Sequence, residues 1–449
     1  MNALPPNRPA YTALAAGLAL LLGGSPAPAA AQDMARVRAT IRDLTAPRLH
    51  GRGYVRQGDQ KAAAYLRRRF EQIGLQPLVP DFRQSFPLDV NTFPGHLHLE
   101  IQAGGKRHRL RPGLDFIAAP TSGAGQARGP LVPLDSTALT APEALAAFLR
   151  RTRQPYSLLV SRRTLAQLAR YPAAVRQRLD LAAAVLTLVP KLTASLAPIQ
   201  THQMRLEVTE QALPSPLSSL DAVAAVRVQA QLRRQYLSQN VVGYLPGRVQ
   251  PDSFLVVTAH YDHLGRMGKS TYFPGANDNA SGTALLLELA AHYARPENRP
   301  AYSLVFLACG AEEAGLIGST YFVNHSPIAL SRIRFLVNLD LVGTGSEGVT
   351  VVNGRVLPEA FQRLQRLNDA HQYVPSIAAR GPAANSDHFP FSERGVPAFF
   401  LYTRGGPSAY HDVQDRPETL PLTAFPGVFS LIREFLNAQG AHSLPSPAP

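Results

Sequence analysis

The second half of the chain alternates short apolar runs with helical patterns, and this alternation restricts the folds open to it. An apolar run of about four to eight residues is typical of a strand that is buried on both faces. Strands of that kind need helices over both faces of their sheet, so the pattern predicts an α/β fold with a mixed, mostly parallel sheet. The apolar runs cover residues 254–257, 304–308, 333–339 and 396–401, and the helical patterns cover 282–293, 314–323, 357–370 and 424–438.

The sequence of the first half of the chain predicts two helices, a hairpin and a separate smaller domain. Residues 34–75 have a helical pattern in two pieces, and the second piece ends at Gly74. Residues 96–110 alternate polar with apolar positions and turn at a Gly pair, as a hairpin does. The following block carries no catalytic constellation and resembles a smaller α/β or β-rich domain. We therefore expect a discontinuous catalytic domain at 32–110 and 226–442, an inserted smaller domain at 111–225, and a flexible Pro-rich tail at 443–449.

The first 31 residues have the pattern of a secretory signal peptide. Arg8 provides a charged start, residues 12–22 form a short apolar stretch, and three alanines at 29–31 suit cleavage before Gln32. The apolar stretch is too short to span a bilayer comfortably, so we expect no stable membrane insertion after cleavage. The pattern predicts export to the periplasm or the extracellular space.

The charge of the chain is strongly basic but carries no nucleic-acid signature. Lys and Arg number 45 against 31 Asp and Glu, which gives a formal net charge of +14. The basic residues are scattered, with neither a basic tail nor an RNA-binding aromatic motif, so we expect no nucleic-acid partner. Cys309 is the only cysteine, which excludes an intramolecular disulfide.

Ionisable side chains recur just after the predicted strands. In an open α/β sheet the carboxyl ends of parallel strands share one edge, where ligands bind. One such residue could be a simple cap or turn residue, but the series offers two imidazoles and several carboxylates, the ligands that zinc takes. A carboxylate between two zinc ions would bridge them. The series consists of His260, Asp262, Asp278, Glu312, Glu313, Asp340, Tyr410 and His411.

Two carboxylates of this series suggest other roles than ligation. Glu312 is adjacent in sequence to a candidate ligand, which would place it near the reacting water as a general base. Asp262, two residues after His260, could accept a hydrogen bond from the far ring nitrogen of His260 and fix its tautomer.

The motifs around these residues resemble those of the M28 metallopeptidases. The resemblance covers about residues 34–100 and 235–440 and is specific because many motifs occur together in order. The matching segments are 258–265 (TAHYDHLG), 275–282 (GANDNASG), 311–319 (AEEAGLIGS), 338–340 (NLD), 386–389 (SDHF) and 410–412 (YHD), with 50–53 (HGRG) and 240–247 (NVVGYLPG) as leader segments.

The resemblance implies a zinc-exopeptidase-like three-layer sandwich and a role for each residue. It implies that His260 and Asp340 hold one zinc ion, that Glu313 and His411 hold a second, and that Asp278 bridges them. It further implies Glu312 as general base, Tyr410 as oxyanion stabiliser and a cis peptide bond after Asp278. Many M28 enzymes carry a protease-associated domain where this chain has residues 111–225, although that block matches by position alone.

The function implied is that of an exported two-zinc aminopeptidase acting on peptides through metal-activated water. A carboxypeptidase on the same fold would need a cationic clamp for the substrate carboxylate, for which Arg404 is a candidate. A glutaminyl cyclase would use one zinc, and a binding-only relative would lack the full ligand set. The related M20 peptidases usually insert a domain between the last two ligands, whereas only 71 residues separate Asp340 from His411 here. Cys309 is either a redox-sensitive ligand or a small buried residue.

Overall fold

The structure is a computed structural model that describes Met1 and residues 32–153, 155–214 and 222–441. Apart from Met1, the predicted signal peptide lies outside the described residues, as does the predicted tail at 443–449. Within the described part of the chain, no helix combines the length and apolar character needed to cross a bilayer.

Eleven α-helices lie in the described residues. Both predicted N-terminal helices are present, and the second ends with Gly74 in the left-handed conformation (φ +87°), as its sequence predicts. The helices are α1 (Met34–Thr45), α2 (Gly58–Ile73), α3 (Thr137–Thr140), α4 (Pro142–Arg151), α5 (Arg162–Ala166), α6 (Ala173–Leu181), α7 (Gly282–Tyr293), α8 (Ile317–Asn324), α9 (Pro358–His371), α10 (Phe389–Ser392) and α11 (Phe425–Ala441).

The strands of the described residues form two large sheets and one small ribbon. They are β1 (Gln76–Pro77), β2 (Arg83–Thr92), β3 (Leu97–Ala103), β4 (Lys106–Arg109), β5 (Phe116–Ala118), β6 (Gly125–Leu134), β7 (Ser157–Ser161), β8 (Ala184–Val189), β9 (Met204–Thr209), β10 (Val223–Val228), β11 (Gln231–Leu245), β12 (Gln250–His260), β13 (Arg266–Met267), β14 (Thr271–Tyr272), β15 (Tyr302–Cys309), β16 (Ile333–Leu339), β17 (Gly348–Val352), β18 (Ile377–Ala379) and β19 (Ala398–Arg404).

The first sheet has nine strands and contains all four predicted apolar runs at its centre. Its order is β1-β11-β15-β12-β16-β19-β17-β18, with β2 paired to β11. The four central strands, β15, β12, β16 and β19, run parallel to one another. β11 and β17 flank them in antiparallel orientation. The prediction of a mixed, mostly parallel sheet is therefore confirmed for its centre.

Helices cover both faces of this sheet because its central strands are apolar on both sides. Leu255 and Val257 of β12 point into a core shared with α1, α2, α7, α9 and α11. Phe254 and Val256 of the same strand point into a second core, which α8 and α10 complete. The period of two along the strand thus divides one apolar run between two helical layers.

The second sheet has eight strands in the order β4-β3-β10-β6-β7-β8-β9-β5. The hairpin predicted at 96–110 is present as β3 and β4. However, β3 pairs with β10 and belongs to this second sheet. The predicted division at residue 110 therefore cuts through the second sheet, which spans Leu97 to Val228 in the described residues. Local alternation revealed the hairpin, but not which distant strand it would join.

Candidate active site

The candidate site lies at the carboxyl ends of the four central parallel strands. β12 precedes β15 and β16 in the chain but lies between them in the sheet, so the strand order reverses at β12. Ligands bind where the order of an open α/β sheet reverses. His260 ends β12, Glu312 and Glu313 follow β15, and Asp340 follows β16 directly. Sheet topology therefore gathers residues from distant parts of the chain.

Asp278 lies between two imidazoles that approach it from opposite sides. Its Oδ1 is 3.3 Å from Nε2 of His260, and its Oδ2 is 3.2 Å from Nε2 of His411. The side chains of His260 and Asp278 are almost completely buried, and that of His411 is 13% exposed. One carboxylate facing two nitrogen donors in this way has the geometry of a bridging ligand.

The described residues contain two groups of potential ligand atoms. One contains His260, Glu312 and Asp340, and the other contains His263, Asp278 and Glu313; the ligand atoms of each group lie within 4.8 Å of one another.

His411 joins the second of these groups through its Nε2. This atom lies 3.1 Å from Oε2 of Glu313 as well as 3.2 Å from Asp278. The Nδ1 of the same ring is 2.8 Å from the backbone carbonyl oxygen of Ala194. All five residues predicted as ligands therefore converge at this site.

One buried carboxylate oxygen of Asp340 has no hydrogen-bond partner. Its Oδ2 accepts a hydrogen bond of 2.9 Å from the hydroxyl of Ser386. Its Oδ1 is buried and has no hydrogen-bond partner, while Nε2 of His260 lies 3.4 Å away. A buried carboxylate oxygen without a partner is costly, and a bound metal ion would satisfy it.

Asp262 is close to His260 but does not make the predicted side-chain hydrogen bond. The Nδ1 of His260 lies 3.2 Å from the backbone oxygen of Asp262 and 3.8 Å from its carboxylate. That carboxylate instead accepts the backbone N–H groups of Glu312 and Glu313, at 3.1 and 3.3 Å. The predicted contact is corrected: the backbone of Asp262 holds the imidazole, and its side chain holds the segment that bears the two glutamates.

His263 is a site residue that the sequence reasoning missed. It is fully buried, and its Nδ1 lies 2.6 Å from Oε1 of Glu313. Glu313 thus has one oxygen toward His263 and the other toward His411. The sequence does place a second histidine three residues after His260. The irregular backbone between the two residues decides where the side chain of His263 points.

Arg52 and Asp415 also support the site from positions that spacing does not reveal. The buried Arg52 donates to the backbone oxygens of Tyr261, Pro274, Gly275 and Asp278. Asp415 accepts the backbone N–H groups of Asn277 and Asp278, at 2.8 and 3.0 Å. The loop that carries Asp278 is therefore held by the buried guanidinium of Arg52 and by the buried carboxylate of Asp415.

The backbone around Asp278 has two unusual features. The Asp278–Asn279 peptide bond is cis, which confirms the expectation from the resemblance. Gly275 has a φ of +62°, and a Cβ atom there would lie 2.2 Å from the backbone oxygen of Asp278 and 2.6 Å from Arg52. Only glycine fits this position without moving the loop.

The titration behaviour of the metal-free site is set by burial and by the crowded carboxylates. Burial, together with Asp387, Glu313 and Asp340, raises the pKa of Glu312 well above its ordinary value, against the opposing effect of His260. Burial lowers the pKa of His411, but Glu313 and Asp278 outweigh it and raise that pKa to about 11. Perturbed groups of this kind are concentrated at functional sites.

A cavity of about 290 Å³ opens onto these residues and is lined by His260, Asp278, Glu312, Asp340, Leu341, Arg380, Asn385, Phe400, Tyr402, Tyr410 and His411. Tyr410 is half-exposed, and its ring stacks on that of His411 with 3.8 Å between centroids. Partial burial and the carboxylates of Asp278 and Glu313 raise the pKa of its phenol. The phenol therefore stays protonated and able to donate a hydrogen bond.

Two residues considered from the sequence do not reach the candidate metal groups. Cys309 is fully buried, with its Sγ 3.1 Å from the hydroxyl of Thr258, so the buried-residue interpretation is the one that the structure favours. Arg404, the candidate carboxylate clamp, donates instead to the backbone oxygen of Glu347 at 2.9 Å. It is not among the residues that line the cavity.

Comparisons with known proteins show which family and which proteins the chain is similar to. Residues 240–436 match the model of Peptidase family M28. Aminopeptidase YwaD of Bacillus subtilis (strain 168) is 34% identical over 164 residues, which cover 35% of this chain and 34% of that protein. Leupeptin-inactivating enzyme 1 of Streptomyces exfoliatus is 33% identical over 166 residues, which cover 36% and 35%. The matched segments thus span about a third of the length of these curated relatives.

Solved structures resemble nearly the whole chain. The Peptidase M28 precursor from Shewanella amazonensis SB2B superposes with a TM-score of 0.66 at 14% identity and covers 92% of this chain and 95% of its own. BSAP, a zinc aminopeptidase from Bacillus subtilis, superposes with a TM-score of 0.61 at 21% identity and covers 89% and 94%. These likenesses confirm the predicted zinc-exopeptidase-like fold. Over residues 240–436, the chain is therefore similar to peptidase family M28.

Proposed function

We propose that this chain is an exported two-zinc aminopeptidase that hydrolyses the N-terminal residues of peptides. The observation that carries the proposal is the position of Asp278, whose two carboxylate oxygens face Nε2 of His260 and Nε2 of His411. A carboxylate with one imidazole on each side suits a pair of metal ions.

The chemistry of the donor set fits zinc. Imidazole nitrogen and carboxylate oxygen are ligands that zinc prefers in catalytic sites. His260 and Asp340 would hold one ion, Glu313 and His411 the other, with Asp278 shared. Two zinc ions held in this way polarise a carbonyl group and lower the pKa of water.

The residues around the donor set would handle protons and charge. Glu312 lies in the same cavity, with its Oε2 4.0 Å from Nε2 of His260, and would accept the proton of the attacking water and pass it to the leaving amine. Tyr410 would donate a hydrogen bond to the oxyanion that develops on the substrate carbonyl. The acidic groups of the cavity would also attract a free α-amino group.

The relatives support an aminopeptidase over other peptidases. Two of those matched, from Bacillus subtilis and from Pseudomonas aeruginosa (strain UCBPP-PA14), are named as aminopeptidases. The family match and the cavity together support peptide substrates for this chain.

A carboxypeptidase is the second candidate because of Arg380. This residue lines the cavity together with Glu312 and Asp340, and its guanidinium lies 3.4 Å from the hydroxyl of Tyr402. A guanidinium at that place could bind the terminal carboxylate of a peptide. A matched relative from Caenorhabditis elegans is named as a glutamate carboxypeptidase 2 homolog.

A panel of peptides followed by mass spectrometry distinguishes these functions. One peptide with free ends would be compared with its N-acetylated form, its C-amidated form and a version that begins with Gln, all with zinc supplied. We expect stepwise loss from the N-terminus that acetylation blocks. Loss that amidation blocks would indicate a carboxypeptidase, and loss of ammonia from the Gln peptide alone would indicate a cyclase. If every peptide stayed intact with zinc bound, a binding-only protein would be indicated.

Export is the part of the proposal that rests on the N-terminal sequence. It is supported by Arg8, the apolar stretch at 12–22 and the alanines at 29–31. N-terminal sequencing of the protein after expression with its leader should find Gln32 first. A chain that keeps its leader inside the cell would refute this part alone.

A further inference from the structure

The connection between β8 and β9 of the second sheet reaches the candidate metal site. Within it, residues 190–197, which we call the clamp segment, run alongside the loop that carries His411. The backbone N–H of Ala194 donates to the backbone oxygen of His411 at 3.1 Å. In return, Nδ1 of His411 donates to the backbone oxygen of Ala194 at 2.8 Å. Two hydrogen bonds in opposite directions thus join the clamp segment to a predicted zinc ligand.

This pair of hydrogen bonds decides which nitrogen of His411 can bind a metal ion. A carbonyl oxygen only accepts hydrogen bonds, so Nδ1 must carry the hydrogen. In the neutral ring that metal ligation requires, Nε2 is then the free nitrogen. It is the atom that faces Asp278 and Glu313 at 3.2 and 3.1 Å. Ala194 therefore selects the tautomer and the ring orientation that ligation needs.

Further contacts hold the same loop to the second sheet. Lys191 of the clamp segment donates from Nζ to the backbone oxygen of Ser408 at 2.8 Å. Val413, two residues after His411, is buried in the core of the second sheet, and so is Leu192 of the clamp segment. The loop that carries His411 is therefore held by hydrogen bonds and by a shared apolar core.

The other half of the site is held from within the first sheet. Nδ1 of His260 faces the backbone oxygen of Asp262, and Asp340 accepts from Ser386. These contacts come from residues of the first sheet and its loops. The two halves of the site thus have different supports.

We propose that the clamp segment positions His411, so that the second sheet sets the metal affinity of the half-site formed by Glu313 and His411. This inference rests on the proposed two-metal function and assigns a role to the inserted region. Ala194 and Lys191 act in it as positioning residues, because they act through the loop of His411. A partner that orients a ligating histidine typically changes metal affinity by about 10–100-fold.

A pair of leucine variants tests the proposal, because both side chains lie in the same apolar core. Leu192→Ala loosens the clamp segment, whereas Leu186→Ala removes an equally sized side chain from β8, away from the segment. We expect Leu192→Ala to weaken one of the two zinc-binding events by tenfold or more, measured by chelator competition. Leu186→Ala should leave both affinities unchanged. Lys191→Met, at an exposed position, should weaken the same event with no loss of folded protein.

A second measurement reports on the hydrogen bond itself. In metal-free protein labelled with ¹⁵N-histidine, the Nδ1–H signal of His411 should be visible in the wild type and in Leu186→Ala. It should broaden or shift in Leu192→Ala. Equal effects of both leucine variants, or unchanged zinc affinities in Leu192→Ala and Lys191→Met, would overturn the inference alone. Wild-type protein that binds fewer than two zinc ions would overturn the two-metal function and this inference with it.

Discussion

The guanidinium of Arg52 binds the backbone at Asp278, with its Nη2 3.1 Å from the backbone oxygen of that residue. The side chain is fully buried and also donates to the backbone oxygens of Tyr261, Pro274 and Gly275. Burial lowers the pKa of Arg52 to about 10, while the nearby carboxylates, Asp278 first among them, raise it. The group therefore stays charged and ties the end of β12 to the loop that carries Asp278.

Replacing Arg52 with lysine should destabilise the protein. A lysine ammonium offers three donors instead of five and cannot reach carbonyl groups on both sides of the loop. We expect Arg52→Lys to lower the free energy of unfolding by about 3 kcal/mol, because several buried carbonyl groups lose a charged donor. Urea denaturation measures this change, with the exposed Arg56→Lys as control. A loss no larger than that of the control would contradict the role given to Arg52.

Glu312→Gln should separate turnover from metal binding. The amide keeps the size of the side chain but cannot take a proton, so we expect kcat to fall by about 10²–10⁴-fold. Zinc content and thermal stability should stay close to those of the wild type. Glu313→Gln is the matched comparison, because it should lose zinc as well as activity. A Glu312→Gln enzyme with wild-type kcat would show that another group is the base.

Zinc binding should release protons at neutral pH. Burial lowers the pKa of His260, but the carboxylates of Asp340 and Glu312 outweigh it and raise that pKa well above its ordinary value; His411 reaches about 11. Both imidazoles are therefore protonated in the metal-free protein at pH 7, and zinc must displace a proton from each. Calorimetry in buffers of different ionisation enthalpy should report about two protons released per protein molecule, and zinc affinity should rise with pH. Heats that do not depend on the buffer would contradict this prediction.

A buried carboxyl away from the site should make stability fall as the pH rises. Burial raises the pKa of Asp59 to about 6, although the hydroxyls of Tyr236 and Ser238 hydrogen-bond to it and lower the pKa. The folded state thus holds this proton more tightly than the unfolded state, whose pKa is about 3.9. The stabilisation is complete below about pH 4 and is lost as the pH rises through about 6.

Asp59→Asn tests this dependence because asparagine mimics the protonated acid. Relative to the wild type, the variant should gain about 3 kcal/mol of stability between pH 4 and pH 8. Unfolding by urea at several pH values measures the difference. The exposed Asp252→Asn serves as a control, and parallel pH profiles for the wild type and Asp59→Asn would contradict the prediction.

The sequence alone predicted the parts of this protein that local periodicity encodes. The four central strands and α7 lie where the apolar runs and the helical pattern predicted them. The five predicted ligands converge because each follows, or is tied to, the end of a parallel strand, and topology places those ends together. The strands, the helix and the motifs themselves depend on residues near one another in the chain, so a single sequence is sufficient to recognise them.

Only the tertiary structure decided how the site is held. Ala194 faces His411 from 217 positions away, and Arg52 reaches Asp278 across 226 positions. The hydrogen bonds involved use backbone carbonyl groups, which every residue has, so no residue type marks them in a sequence. Backbone hydrogen bonds also explain why the carboxylate of Asp262 binds the segment of the two glutamates instead of His260. They likewise explain why the hairpin before residue 110 pairs with β10 of the second sheet. The sequence states which side chains are available for chemistry, whereas tertiary packing determines which backbone groups they contact.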